Sequence, residues 1–287
     1  MFAVTGITGQ VGGVAARTLL DTGLSVRAVM RDAAKGAAWK ERGCEVALAE
    51  MNDAPALTAA FTRVNGVFVL IPSNFDPMAG FPEVRSIITA LTTAIEATKP
   101  PKVVCLSTIG AQATQPNLLN QLGLVEQALG ALAMPVCFLR AAWFMENSAW
   151  DVEPARDRGV ISSFLQPLDK PVPMVATADI GRVAAELLQE TWTGRRIIEL
   201  EGPTRVTPNQ IAATFAQVFG HPVRAETVPR QTWEQLFKSQ GMKHPDSRIQ
   251  MLDGFNQGWI EFEQNEIMRR KGRIGLKEVL TGLVGVE

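Results

Sequence analysis

The sequence predicts an α/β fold: a doubly wound parallel sheet with a smaller C-terminal α+β lobe. Three observations predict it. A short apolar run, Phe2-Ala3-Val4, leads into glycines spaced G-x-x-G-x-x-G and then into a stretch with Val14, Ala15, Leu19 and Leu20 at helical spacing. Up to residue 140, apolar runs alternate with helical stretches at the period of βα units, which implies parallel strands and right-handed crossovers. Beyond residue 140 the alternation loosens.

The glycines are Gly6, Gly9 and Gly12. Strand, glycine turn and helix together form the context in which such spacing reads as a dinucleotide site. Glycine permits a sharp turn and lets the backbone approach a pyrophosphate, whose charge rests on free N–H groups at the helix N-terminus. The alternative is a tight βα turn with no ligand.

The second strand is expected over residues 25–31. Its end falls about 20 residues past the last glycine, where a dinucleotide fold meets the adenosine ribose. An acid there would bond the ribose 2′-hydroxyl and repel a 2′-phosphate. The chain has Arg31, Asp32 and Lys35. Two cations favour a 2′-phosphate, so NADP(H) is preferred, while Asp32 keeps NAD(H) open.

Strand three is expected at 45–49, with a helix at 56–61 behind Asp53 as its N-cap. The continuous apolar run 66–71 reads as a strand buried on both faces. It breaks at Pro72-Ser73-Asn74, at the sheet end where open α/β folds bind ligands. Helices are expected at 84–97 and 118–132, and strands at 102–107 and 136–140. Thr108-Ile-Gly-Ala follows the former strand as a loop. After residue 140, bulky groups crowd the stretch 141–147. A capped helix is expected at 177–188, a strand at 196–200, and a helix from Thr207 with Pro208 at its first position. Trp233, Phe237, Phe255, Trp259 and Phe262 read mainly as the core of the smaller lobe. No internal repeat or low-complexity linker interrupts the 287 residues.

Composition narrows the function. A net charge of −1 gives no basic footprint for nucleic acid. No apolar run approaches the roughly 20 residues of a membrane span, and no targeting segment is expected ahead of the first strand, so a cytoplasmic protein is expected. Cys44, Cys105 and Cys137 lie in apolar, strand-like runs and read as reduced core residues, with a redox role as the lesser reading. The two histidines, His221 and His244, lack partners at metal-ligand spacing, so no metal site is expected. There is no tyrosine.

These pieces resemble the NmrA-like family of atypical short-chain dehydrogenases/reductases. The likeness is carried by Val4-Thr-Gly-Ile-Thr-Gly-Gln-Val-Gly12, Arg31, Leu106-Ser-Thr-Ile-Gly110, Leu139-Arg-Ala-Ala-Trp-Phe-Met-Glu-Asn147, Ala178-Asp-Ile-Gly-Arg-Val-Ala184 and Glu201-Gly-Pro203, in the family's order. It is nearest in look to bacterial NAD(P)H:quinone oxidoreductase-type members. It implies a Rossmann domain over residues 1–145, with 175–200 returning to it. A smaller substrate or lid lobe would comprise 146–174 and 201–287. By that likeness Gly6, Thr8, Gly9, Gln10, Val11 and Gly12 hold the pyrophosphate, and Arg31 and Lys35 hold the 2′-phosphate. Ile71, Pro72 and Ser73 line the path to the nicotinamide, and Phe144 and Asn147 sit near it.

The chain departs from the superfamily at its proton donor. Without tyrosine there is no Tyr-x-x-x-Lys pair, and the lysine that many NmrA-like reductases keep aligns with Leu122; Asn120 and Gln121 nearby are not acids. Loss of a general acid forfeits roughly 100- to 10,000-fold for a ketone. A quinone needs it less, because its reduced oxyanion is protonated by water. Thr108 or Ser107 could bond a carbonyl oxygen or merely cap the turn. Trp143, Asn147 and Trp150 are candidates for meeting a flat substrate, with packing as the alternative for the aromatics. Two readings result: an NADPH-dependent reductase of quinones or similar activated acceptors, and a non-catalytic NADP(H)-sensing regulator. A sugar epimerase or dehydratase is disfavoured by the missing tyrosine. The substrate, oligomeric state and protein partners are not legible.

Overall fold

The computed structural model describes residues 1–263 and 269–285. The first half is strictly alternating: β1 (Phe2–Val4), α1 (Gln10–Asp21), β2 (Val26–Met30), α2 (Gly36–Glu41), β3 (Glu45–Leu48), α3 (Ala54–Phe61), β4 (Val67–Val69), α4 (Pro82–Thr98), β5 (Val103–Thr108), α5 (Asn120–Leu129) and β6 (Val136–Ala141). There follow β7 (Trp143–Phe144), a 3₁₀ helix over Met145–Asp151, α6 (Val152–Arg158), β8 (Val160–Ser163), β9 (Met174–Val175), α7 (Thr177–Gln189) and β10 (Arg195–Glu201). The chain continues with α8 (Pro208–Phe219), β11 (Arg224–Thr227), α9 (Trp233–Ser239), α10 (Asp246–Gln257), β12 (Arg269–Lys271) and α11 (Leu276–Val284).

Eight strands form one sheet in the order β3-β2-β1-β4-β5-β6-β10-β12, all pairs parallel. Val67, Phe68 and Val69 are fully buried, as a strand covered on both faces requires. From β1 the chain first builds outward to β3, then returns to lay β4 on the other side of β1. That reversal opens the crevice in which such sheets bind ligands.

Helix α1 packs against α7 on one face of the sheet. A Cβ added to Gly181 in α7 would stand 2.6 Å from both the Val11 carbonyl oxygen and Val14 Cβ, so a bare backbone is what allows the two helices to close. The other face is covered by α3, α4 and α5, whose Leu57, Phe61, Leu91, Ile95 and Leu129 are fully buried. Asp53 caps α3 through the Ala56 N–H at 3.0 Å, and Thr207 and Gln210 close a capping box on α8.

In the stretch expected to form a smaller lobe, Trp233 and Phe237 are fully buried, Phe255 and Phe262 buried and Trp259 half-buried, and they pack in one hydrophobic cluster with the α1 and α7 face of the sheet. One segment differs from the sequence-based expectation. β12, in the stretch assigned to the smaller lobe, pairs with β10 and forms the edge of the large sheet. It reads Arg-Arg-Lys and is held by charge: Arg270 pairs with Glu190 at 2.5 Å and Lys271 with Glu201 at 2.7 Å. A strand fixed by ion pairs leaves no apolar alternation to read.

Candidate functional site

The three glycines do three different things. Gly6 has φ +63°, the left-handed turn that ends β1. Gly12 is pressed against that turn, since a Cβ on it would lie 2.3 Å from the Gly6 carbonyl oxygen. Gly9 faces outward, and a Cβ there would meet only the Gly6 oxygen, at 3.4 Å. Turn, packing and open approach are the roles a pyrophosphate-binding loop divides among its glycines.

Gly9 is also the N-cap of α1, where no side chain caps the helix and no acid occupies its first turn. The helix therefore presents bare N–H groups and positive dipole density to an exposed rim formed by Thr8, Gly9 and Gln10. Val11 buries its side chain and can offer only its backbone. The cradle fits a pyrophosphate in shape and in charge.

Thr5, just before the turn, is buried and spans the crevice. Its hydroxyl oxygen accepts the Leu70 N–H at 2.7 Å, and its proton can serve the carbonyl of Phe68 or Leu70. The ends of β1 and β4 are thereby tied together, and Ile71, Pro72 and Ser73 emerge beside the glycine turn. Ile71 is buried; Pro72 and Ser73 are exposed.

At the end of β2, Arg31 and Lys35 are both exposed, and neither has an ion pair among the described residues. Asp32 is committed elsewhere: its carboxylate accepts the Ala34 N–H at 2.9 Å and caps the turn Ala33–Lys35. An acid spent on its own turn competes less for a ribose hydroxyl, and two exposed cations stand beside it at this corner.

At the far end of the crevice, Thr108 is half-buried and donates to the Ile109 carbonyl at 3.1 Å, as a turn cap does. Ser107 is turned away into the core, donating to Glu126 at 2.5 Å. Glu126 in turn grips Arg140 at two points, 2.8 and 2.7 Å, and both side chains are almost fully buried. Leu122 packs into the core against the α4 face, while Gln121 and Asn120 spend their amides on the carbonyls of Asn74 and Ala113. Among the described residues, the acid of this corner, Glu126, is spent on Ser107 and Arg140 and does not stand in for the missing tyrosine.

Past β6, the 3₁₀ helix orders the remaining candidates. Side chains three apart eclipse in such a helix. Asn147 and Trp150 therefore share one side, and Met145, Ser148 and Asp151 another, with Phe144 preceding the helix in extended backbone. Met145 and Ser148 are buried, whereas Asn147 is exposed and Trp150 is 87% exposed. Burial pushes the Asp151 carboxyl up to about 7. Trp143 lies off this ridge, half-buried with its ring edge-on to Phe255 at 5.2 Å, a packing role.

Two anchors had no signature in the glycine motif. Glu146 Oε1 accepts both the N–H and the hydroxyl of Thr177, at 2.9 and 2.7 Å, at the start of α7. Asp76 accepts the main-chain N–H groups of Lys243 and His244, at 2.9 and 2.6 Å, which holds its carboxyl below the usual range and ties the loop after β4 to the connection between α9 and α10. The sequence reading took the helix from Thr177 as capped, whereas its N-cap is Ala176, which has no capping group, and the cap comes from Glu146. For the Asp76 tie there was no sequence signal, because main-chain donors carry no residue identity.

The cysteines are free and buried, and burial raises the Cys137 thiol to about 12, so they are inert thiols of the core. Among the described residues no cluster could hold a metal ion, and no helix is long and apolar enough to cross a membrane.

The model of the NmrA-like family matches residues 1–257. The chain is 27% identical over 259 residues to an NAD(P)H azoreductase of Xenophilus azovorans, covering 90% of this chain and 85% of that protein. It is 26% identical over 254 residues to quinone oxidoreductase 2 of Escherichia coli, covering 88% and 85%. In three dimensions it resembles the E. coli NADPH-dependent quinone oxidoreductase solved with NADPH, at TM-score 0.81 and 22% identity over 99% of both chains. It likewise resembles the Citrobacter triphenylmethane reductase solved with NADP(H), at 0.79 and 19%, covering 98% of this chain and 99% of that one.

Proposed function

Because this chain belongs to the NmrA-like family, we propose that it is an NADPH-dependent reductase of quinones or similar activated acceptors, working by direct hydride transfer in the cytoplasm. The observation that carries the reading is the division of labour among Gly6, Gly9 and Gly12 beneath an uncapped helix. The names of the relatives, an azoreductase and a quinone oxidoreductase, support the acceptor class. Three unpaired cysteines suit a reducing compartment.

In this reading the backbone from Gly6 to Gly12, with Thr8 and Gln10 on its rim, carries the pyrophosphate. Arg31 and Lys35 take the 2′-phosphate; NADH binds without them, more weakly. Ile71, Pro72 and Ser73 flank the dinucleotide, and Phe144 and Asn147 meet its nicotinamide end. Bound NADPH supplies the hydride. Trp150, one turn along the same side as Asn147, offers an open ring face for a flat acceptor. Thr108 can turn its hydroxyl from Ile109 to an acceptor oxygen. None of these groups is an acid, so the reduced acceptor must leave as an anion that water protonates, which suits a quinone and disfavours a simple ketone.

The test is steady NADPH oxidation against a panel of quinones. Turnover above about 1 per second, the lower range for enzymes, is expected. Tight NADPH binding without turnover would replace this reading with that of a cofactor sensor.

A further inference from the structure

We infer that Glu146 is a positioning residue for the nicotinamide half of the bound dinucleotide, fixing Phe144 and Asn147 relative to the phosphate cradle. The inference rests on the cofactor reading above and adds a residue to it.

Three observations lead there. Glu146 stands between Phe144 and Asn147 in sequence, yet its carboxylate is spent on another element. It bonds the Thr177 N–H and hydroxyl, 31 residues away, and so caps a helix whose own N-cap residue, Ala176, has nothing to offer. A carboxylate at that end is also favoured by the helix dipole.

That helix, α7, is itself locked to α1. Gly181 lies against Val11 and Val14 with no room for a methyl group, and Val11 belongs to the first turn of the phosphate cradle. A continuous line of contact therefore runs from Val11 to Gly181, along α7 to Thr177, and through Glu146 to the stretch carrying Phe144 and Asn147. The pyrophosphate grip and the nicotinamide wall are set at one spacing by this line.

The third observation is the other carboxylate oxygen. Glu146 Oε2 is buried and has no hydrogen-bond partner among the described residues. Buried polar atoms ordinarily find partners. A carboxylate that leaves one oxygen unserved in order to keep the other on Thr177 is oriented by that tie.

The experiment compares the unaltered protein with Glu146→Ala, Glu146→Gln and Thr177→Val. Two readouts are needed: NADPH affinity by calorimetry, and the fluorescence of the bound nicotinamide, which brightens as the ring is immobilised and needs no turnover. Glu146→Ala should keep NADPH affinity within about threefold, because the phosphate grip is intact, while losing at least about half of the fluorescence gain through a loose ring. Glu146→Gln, which keeps a carbonyl oxygen for Thr177, should retain most of the gain. Undiminished fluorescence in Glu146→Ala would overturn the inference. So would an affinity loss of about tenfold in step with a fallen Tm, the mark of general support. Should Glu146→Ala fail to fold, Thr177→Val removes one bond only, and undiminished fluorescence there overturns the inference equally. If the unaltered protein binds no NADPH, the functional reading falls and this inference with it; NADPH binding with unchanged fluorescence in Glu146→Ala, or in Thr177→Val where that variant is used, sinks this inference alone.

Discussion

Gly12 lies so close to Gly6 that a methyl group on it would stand 2.3 Å from the Gly6 carbonyl oxygen, whereas the same group on Gly9 would touch only that oxygen, at 3.4 Å. One glycine is closed to side chains by the protein, and the other is open toward the proposed ligand.

The two should therefore fail differently. Gly9→Val, at an N-cap with extended φ −93° and ψ 175°, should leave the melting temperature near that of the unaltered protein and abolish binding of NADPH and NADH alike. Gly12→Ala should lose stability and binding together, by about 1–3 kcal/mol as overpacking does. Calorimetry and thermal melts on both variants check this; Gly9→Val with retained affinity would refute the assignment of the cradle.

Arg31→Ala should weaken NADPH binding by about tenfold or more, equivalent to about 1.4 kcal/mol, and change NADH binding by less than about twofold. Arg31 is exposed and has no ion pair among the described residues, so its removal should cost the fold little. Equal losses for both nucleotides would show that it does not meet the 2′-phosphate.

Asp151 gives a stability prediction with a sign. Its folded carboxyl titrates at about 7, against about 4 unfolded. Between those values the folded state keeps a proton that the unfolded state has lost. Stability should therefore fall as pH rises through that window, then level off above it. Asp151→Asn carries no titrating group and should melt several degrees above the unaltered protein at pH 8, with the gap shrinking at pH 5. Thermal melts across pH 4–8 measure it; a constant gap would mean that burial does not hold the proton.

Arg140 lies between Glu126 at 2.7 Å and Glu263 at 2.8 Å, and Arg140 and Glu126 are both nearly excluded from water. Arg140→Met should cost about 3–5 kcal/mol, because it strands a buried carboxylate. Changing Arg140 and Glu126 together to apolar residues should recover part of that loss. Chemical denaturation of the single and double variants is the check, and additive losses would deny the coupling.

The elements of the sheet were legible because parallel strands advertise themselves as unbroken apolar runs and their helices as 3.6-residue stripes. Val67–Val69 and Thr177–Gln189 are examples, as are the Asp53 and Thr207 caps. The glycine turn was legible because its geometry demands glycine at Gly6, by its φ, and at Gly12, by its packing. Other features were hidden for physical reasons. β12 is a strand of three cations whose partners lie on β10 and α7. Ser107 could be ruled out as a substrate contact only once Glu126 was seen beneath it. Trp143 and Trp150 look equivalent in the sequence, yet Trp143 sits in β7, paired with β9 and edge-on to Phe255, while Trp150 stands in the open on the 3₁₀ helix that follows.

The ion-paired edge strand also bears on how the polypeptide can be trimmed. A version stopped at residue 257, where the match to the family model stops, would take β12 away. Glu201 would lose Lys271, Glu190 would lose Arg270, and β10 would become a raw border with unclaimed main-chain groups, an invitation to stick to neighbouring molecules. The tail thus works as the hem of the nucleotide-binding sheet, and shortening it should yield clumping before it yields a smaller catalyst.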